Sequence, residues 1–107
     1  MLLQGTLEML IMQTLRRGSQ HGYGISQTIR SGSNELFQIE TGSLYPALQR
    51  LEKRGLVASE WKTSDNNQRA KFYKLTPAGR KQLAREQSRW AEMVDAVAAL
   101  MRPRGQE

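Results

Sequence analysis

The hydrophobic residues in the first half of the chain recur every three or four positions in three segments, which predicts three amphipathic helices. The main apolar stripes of these segments are formed by Leu7, Leu10, Ile11, Leu15, Ile25, Ile29, Leu44, Ala47, Leu48 and Leu51. Thr6 is a candidate cap for the first helix, Met9 and Met12 fall outside its stripe, and Tyr23 is expected to join the stripe of the second. A first helix that is apolar on more than one side should be buried on more than one side.

The third helical segment contains a proline, Pro46, whose missing N–H makes it costly deep inside a helix. With Ser43 as the N-cap, Pro46 would take the third helical position, where no intrahelical donor is needed. With Thr41 as the cap, the first turn would be distorted. Either start leaves a polar face of this helix pointing outward.

Two runs of alternating residues follow, LVASEWKT and RAKFYKLT, and the segment TSDNNQ lies between them. Asparagine tolerates left-handed backbone angles, so the pattern predicts a β-hairpin with its tip near Asn66. Tyr73 and Leu75 should share one face, and Trp61 is expected to pack within the hairpin. The earlier segment LFQIE would be a short strand at most.

The last segment predicts one long helix, with Thr76 as N-cap, Pro77 at its first position and Pro103 closing it. Its apolar seam consists of Leu83, Trp90, Val94, Val97 and Met101, with Met93 and Leu100 beside it. Steps of 7, 4, 3 and 4 residues are typical of a coiled coil. A helix of about 25 residues is about 38 Å long, so its far half needs a partner. The simplest partner is a second copy, which predicts a homodimer.

This order of elements predicts a mainly α protein with a small β-hairpin, which is the α+β arrangement of a winged helix-turn-helix. We assign residues 1–75 to the winged domain, 76–103 to a C-terminal dimerisation helix and 104–107 to a tail. In this architecture the third helix enters the DNA major groove, and the hairpin, or wing, lies along the backbone. The residues expected to contact DNA are Thr41, Ser43, Tyr45, Gln49, Arg50, Lys53, Arg69 and Lys71.

The net charge of +6 supports an interaction with a polyanion, because the basic excess is concentrated between residues 61 and 81. By itself such a block fits a solubilising surface equally well. The 107 residues suit one domain, and the apolar runs are too short to span a membrane. The absence of cysteine excludes disulfides and thiolate metal sites, and a reducing cytoplasmic setting fits. With one histidine, no suggestive acid pair and no phosphate-binding glycine loop, we expect neither an enzyme nor a cofactor.

Three motifs in this order, HGYGI at 21–25, TGSLYPALQRLEKRGLV at 41–57 and KFYKLTPAGRKQL at 71–83, resemble the PadR family of bacterial transcription regulators. The single terminal helix is similar to the short subgroup of that family. The resemblance implies a homodimeric winged-helix repressor of a palindromic operator, with the first helix packed against the partner. Some relatives bind flat aromatic compounds between subunits. The resemblance therefore implies a small aromatic effector, with Met9, Met12, Trp90 and Met93 as its candidate site.

Simpler interpretations of the same residues stay open at this point. The polar face of the third helix could be an ordinary solvated surface, and Arg69 and Lys71 could protect an edge strand from pairing. Tyr45 suits a DNA contact and the edge of the core equally, while Trp90 could be interface alone. His21 is expected to cap or pack rather than bind a ligand. For the whole chain, the alternative is a winged-helix module that binds proteins and not DNA.

Overall fold

The computed structural model describes residues 5–63 and 65–103, and within them it contains four helices and one antiparallel sheet of three strands. The helices are α1 (Thr6–Leu15), α2 (Gly22–Gly32), α3 (Thr41–Lys53) and α4 (Pro77–Met101). The strands are β1 (Gln20–His21), β2 (Val57–Thr63) and β3 (Arg69–Leu75). The predicted α+β fold is confirmed, and the tail assigned to 104–107 lies outside the described residues.

The sheet contains the predicted hairpin and one additional short strand. β3 lies in the centre and pairs with β2 so that Val57 is opposite Leu75 and Trp61 is opposite Lys71. Beyond the hairpin, β1 adds two residues to the free edge of β3, and two residues are too few to show a period in the sequence. The segment LFQIE forms no strand. The hairpin turn includes Asn67 at φ 59°, in the left-handed region expected for asparagine.

The core lies between α1, α2, α3, the sheet and the first turns of α4. The largest fully buried side chains are those of Ile11, Met12, Leu15, Ile25, Leu44, Leu48, Leu51 and Val57. Tyr73 and Leu75 are buried together, as their predicted common face requires. Met12, which falls outside the main apolar stripe of α1, is nevertheless 0% exposed. α1 packs against the other helices on more than one side, so more than one stripe of it is buried, as the sequence predicted.

The start of α4 is anchored to the core. The Thr76 hydroxyl accepts a hydrogen bond from the Gly79 amide at 3.0 Å, which confirms the predicted cap. Gly79 lies so close to the carbonyl of Leu56 that a side chain there would overlap it. Leu83, predicted to belong to the dimer seam, is only 3% exposed and packs within its own subunit. Leu83 is buried because Gly79 allows the first turns of α4 to pack closely against the backbone at the start of the hairpin. Beyond Leu83 the helix projects outward, and the molecule is 60 Å long.

Two helices begin differently from the prediction. α1 starts at Thr6 with Gly5 in the N-cap position, and no side chain caps it. α3 starts at Thr41 after Glu40, so Pro46 lies inside the helix rather than in its first turn. An interior proline costs about 3 kcal/mol in an isolated helix. Burial of the apolar face of α3 offsets this cost, since tertiary packing overrides local propensity. No helix within residues 5–63 and 65–103 is long and apolar enough to cross a membrane.

Candidate nucleic-acid interface

The outward surface of α3 is a ridge opposite its buried face. Helical periodicity places Gly42, Pro46, Gln49 and Lys53 on this ridge, and all four residues are exposed. Gln49 and Lys53 were predicted to face outward. Gly42 and Pro46 were missed because neither has a polar side chain that could suggest a contact. Thr41 and Ser43 are also exposed, in the first turn of α3, where backbone N–H groups attract anions.

Arg50 is exposed, as predicted, but it lies beside this ridge and is paired with a carboxylate. Its Nε donates to Oε2 of Glu8 at 2.9 Å, and Arg54 Nη1 approaches Oε1 of the same carboxylate at 3.4 Å. Glu8 comes from α1 and is only 8% exposed. A nearly buried carboxylate needs such cationic partners to offset its lost hydration. Arg50 therefore joins α3 to α1. Its partner Glu8 lies 42 residues away in the sequence, so local periodicity could not indicate this ion pair.

The wing is attached to α3 through Glu52, which the sequence analysis did not single out. The Ser59 hydroxyl donates to Oε2 of Glu52 at 2.6 Å, and Lys71 Nζ lies 3.7 Å from Oε1. Lys71 is thus already paired with a carboxylate. Arg69 lies two residues further toward the tip on the same face, and its guanidinium is 5.5 Å from the centre of the Trp61 ring. Trp61 is 58% exposed, so it does not pack inside the hairpin as expected.

A cleft of about 490 Å³ separates the wing from the starts of α2 and α3. Tyr23 lines it and is 69% exposed, which corrects the prediction that it joins the buried stripe. The Tyr45 ring lies over Gly22, where a larger residue would collide with it, so this glycine makes room for the tyrosine side chain. His21 Nδ1 accepts a hydrogen bond from the amide of Gly24 at 3.0 Å, which confirms its capping role.

Tyr73 forms the floor of the cleft. Burial raises the pKa of its phenol above the usual 10.0, and the nearby Glu52 carboxylate and Tyr45 raise it further. The phenol therefore stays neutral wherever the other groups of the interface carry their ordinary charges.

A second surface lies along the projecting half of α4. Six apolar side chains there are between 43% and 86% exposed, namely Trp90, Met93, Val94, Val97, Leu100 and Met101. An open groove of about 430 Å³ runs between this helix and α1, lined by Met9, Trp90 and Met93 among others. Met12 does not reach the groove, since it is in the core. The candidate effector residues are therefore brought together except for Met12.

Comparisons with known proteins agree with this geometry. The family model described as "Transcriptional regulator PadR-like family" matches residues 11–85. A transcriptional regulator of Mycobacterium tuberculosis is 35% identical over 77 residues, covering 72% of this chain and 68% of that protein.

Solved structures of transcription regulators have the same fold. One from Clostridium thermocellum has a TM-score of 0.83 at 29% identity, covering 92% of this chain and 96% of its own. A PadR-family regulator from Eggerthella lenta has a TM-score of 0.75 at 34% identity, with 92% and 83% covered. These relatives are regulators of transcription and not enzymes. The chain belongs to the PadR-like family of DNA-binding transcriptional regulators.

Proposed function

We propose that the protein is a homodimeric repressor that binds a two-fold symmetric operator through the α3 ridge and the wing. The observation that carries this proposal is the exposed ridge of α3 beside a basic wing, on the face where a winged helix meets the major groove. We infer repression from the family resemblance. A dimer bound at a promoter would repress transcription by excluding RNA polymerase. The protein would exert this function in the cytoplasm, where bacterial DNA is found.

Within this interface we assign the main phosphate contacts to Lys53 and Arg69. Both side chains are exposed, and neither takes part in an ion pair among the described residues. The guanidinium of Arg50 and the ammonium of Lys71 already face carboxylates, so their release would cost part of the gain on DNA. Gln49, which lies on the ridge between Pro46 and Lys53, is the candidate for reading a base edge, because glutamine can form two hydrogen bonds with adenine. Thr41, Ser43 and Tyr45 supply hydroxyl groups at the entrance of the groove.

The proposed dimer uses the projecting half of α4. Exposed apolar area of this extent normally marks an interaction surface, and the seam has coiled-coil spacing. We therefore assign the interface to Trp90, Met93, Val94, Val97, Leu100 and Met101 and no longer to Leu83. A two-fold axis through this seam would present two α3 helices to half-sites about 10 bp apart, or a multiple of this.

An aromatic effector is the proposed means of control. In a dimer, two copies of the groove with Met9, Trp90 and Met93 would lie near the two-fold axis, and a planar ligand could stack on Trp90. Such a ligand releases DNA only if it favours a dimer geometry that fits the operator less well. The test is quenching of Trp90 fluorescence in a Trp61→Phe protein by planar aromatic compounds, measured together with operator affinity. A ligand-blind repressor would show no quenching, or quenching without any change in affinity.

Titration of operator DNA at several salt concentrations tests DNA recognition itself. The operator is the DNA that the purified protein retains from a pool of genomic fragments. We expect affinity to fall steeply with salt, and the slope of log K against log salt to fall by about 1.8 for Lys53→Ala, because the symmetric dimer loses two phosphate contacts. Lys74→Ala is the control, because Lys74 is exposed on the opposite face of β3. A protein-binding module would retain no DNA. Transcription from a promoter containing the operator, with and without the protein, separates repression from activation.

A further inference from the structure

Exposed aromatic side chains are concentrated in the cleft between the wing and the starts of α2 and α3. Among the described residues four large aromatic side chains are well exposed, and Trp90 belongs to the α4 seam. The other three, Tyr23, Tyr45 and Trp61, come from α2, α3 and β2 and line this one cleft. Leaving large rings in water is unfavourable, so three from separate elements at one place indicate a surface that is covered in the functional state.

Two cationic side chains line this cleft, Arg69 and Lys71, and Lys71 is paired with Glu52. The Arg69 guanidinium stacks over the Trp61 ring at 5.5 Å, which orients it while leaving its N–H groups able to donate. No carboxylate pairs with Arg69 in the described part of the chain. On the opposite face of the hairpin, Lys62 lies 5.3 Å from the Phe72 ring but also 3.6 Å from Glu60. Both faces therefore have stacked pairs, and among those of the described residues only the Arg69–Trp61 pair has no carboxylate partner.

Aromatic rings beside a guanidinium that no described carboxylate neutralises suit a ligand that has both a sugar or base and a phosphate. A volume of about 490 Å³ lies within the range of about 300–1,000 Å³ typical of small-ligand sites. Aromatic faces cover bases and sugars, and arginine forms forked hydrogen bonds with phosphate. The cleft also adjoins Tyr45 of α3, so a DNA strand bordering the groove that α3 enters would pass over it.

We propose that this cleft binds one nucleotide of the operator strand, with its phosphate on Arg69 and its sugar against Trp61 and Tyr23. This inference rests on the proposed DNA binding. It adds contacts made by aromatic rings to the contacts made by the charged side chains of the wing. Because the contact is with the backbone, it strengthens binding to operator and unrelated duplex alike. The strand is thus bound by the rings of Trp61 and Tyr23 as well as by the charged side chains of the wing.

The test compares operator and unrelated duplex in titrations with Trp61→Leu, Tyr23→Leu and Arg69→Ala. We expect the two ring variants to weaken both complexes about five- to tenfold, at the low end of aromatic contributions to nucleic-acid binding. Arg69→Ala should also lower the salt slope by about 1.8, since both subunits of the proposed dimer lose a phosphate contact. Lys62→Ala is the matched control, and it should leave the affinity within about twofold because it lies on the other face. Trp61→Phe retains a ring and should preserve most of the binding.

A direct signal covers the case in which a leucine variant fails to fold. In a Trp90→Phe protein the remaining tryptophan is Trp61, and its fluorescence should change on addition of operator DNA. An unchanged signal with DNA bound, or ring variants that bind as wild type does, would overturn the inference and leave the proposed function intact. A signal that responds to benzoate and not to DNA would also overturn it, since the cleft would then be a small-ligand site. If wild type retains no DNA, the proposed function itself fails.

Discussion

Replacing Arg50 and Lys53 separately by alanine should separate stability from DNA affinity, although both are basic residues of α3. Arg50 Nε donates to a carboxylate of Glu8 that is itself almost buried. A hydrogen bond of a charged group contributes about 1.5–3 kcal/mol when buried. The Arg50 side chain is 47% exposed, so solvent screening lowers the expected loss to about 1–2 kcal/mol. Glu8 keeps Arg54 as a partner, which also limits the loss.

The expected magnitude is measurable by thermal unfolding. A loss of about 1–2 kcal/mol lowers the Tm of a chain of this size by about 4–8 °C. Lys53 is exposed and pairs with no described carboxylate, so Lys53→Ala should change the stability by less than about 0.5 kcal/mol. Operator affinity should behave in the opposite way, with the larger loss and the flatter salt dependence in Lys53→Ala. All proteins must be compared at one concentration, because the proposed dimerisation would contribute to the Tm.

Glu8→Gln is the matched control for this prediction. The amide has the size of the carboxylate but no charge, so it should reproduce most of the stability loss of Arg50→Ala. The reasoning is refuted if Arg50→Ala unfolds at the wild-type Tm and flattens the salt dependence as much as Lys53→Ala. In that case Arg50 would point outward to DNA, as the sequence pattern alone suggested.

Three further outcomes are expected. Gly79→Ala should destabilise the protein by about 1–3 kcal/mol, since its new methyl group would overlap the hairpin backbone, whereas Gly32→Ala has open space and should leave the Tm unchanged or raised. Because burial raises the pKa of Tyr73, ionising its phenol destabilises the folded state, so stability is retained below pH 10.0 and is lost as pH rises through the folded-state pKa. The stability of Tyr73→Phe should therefore fall less steeply with alkali than that of the wild type, and equal pH curves would contradict this. Replacing Val94 and Val97 together by glutamate should give a folded monomer in sedimentation, because both are exposed within one subunit; a wild type that is itself monomeric at about micromolar concentration would refute the dimer.

The elements that the sequence predicted correctly are those fixed by local chemistry. The hairpin follows from alternation and turn residues, and α4 begins with the predicted Thr76 cap and Pro77. Its length of 25 residues matches the expected length. Tyr73 and Leu75 share a buried face because strand periodicity leaves no other choice. In each case the information lies within a few neighbouring residues.

The errors concern partners that are distant in sequence. Arg50 meets Glu8 of α1, Leu83 packs in the core, and Tyr23 lines the cleft instead of joining the buried stripe. None of these contacts leaves a trace in local periodicity. Two N-caps were left open for α3, Ser43 and Thr41, and neither is observed, because the buried face of α3 outweighs the local cost of an interior proline. The sequence thus predicted which surface is the candidate DNA site, but the ion pairs within that surface could be identified only from the folded structure.

Hydroxyl-radical footprinting of the operator retained from genomic fragments tests the central claim most directly. A dimer that inserts two α3 ridges into successive major grooves should protect two patches related by a two-fold axis, about 10 bp or a multiple of this apart. Each patch should extend along the backbone where the wing lies, and Arg69→Ala should shorten it at that end. A single patch, two patches without symmetry, or protection unchanged by Lys53→Ala and Arg69→Ala together would contradict the account.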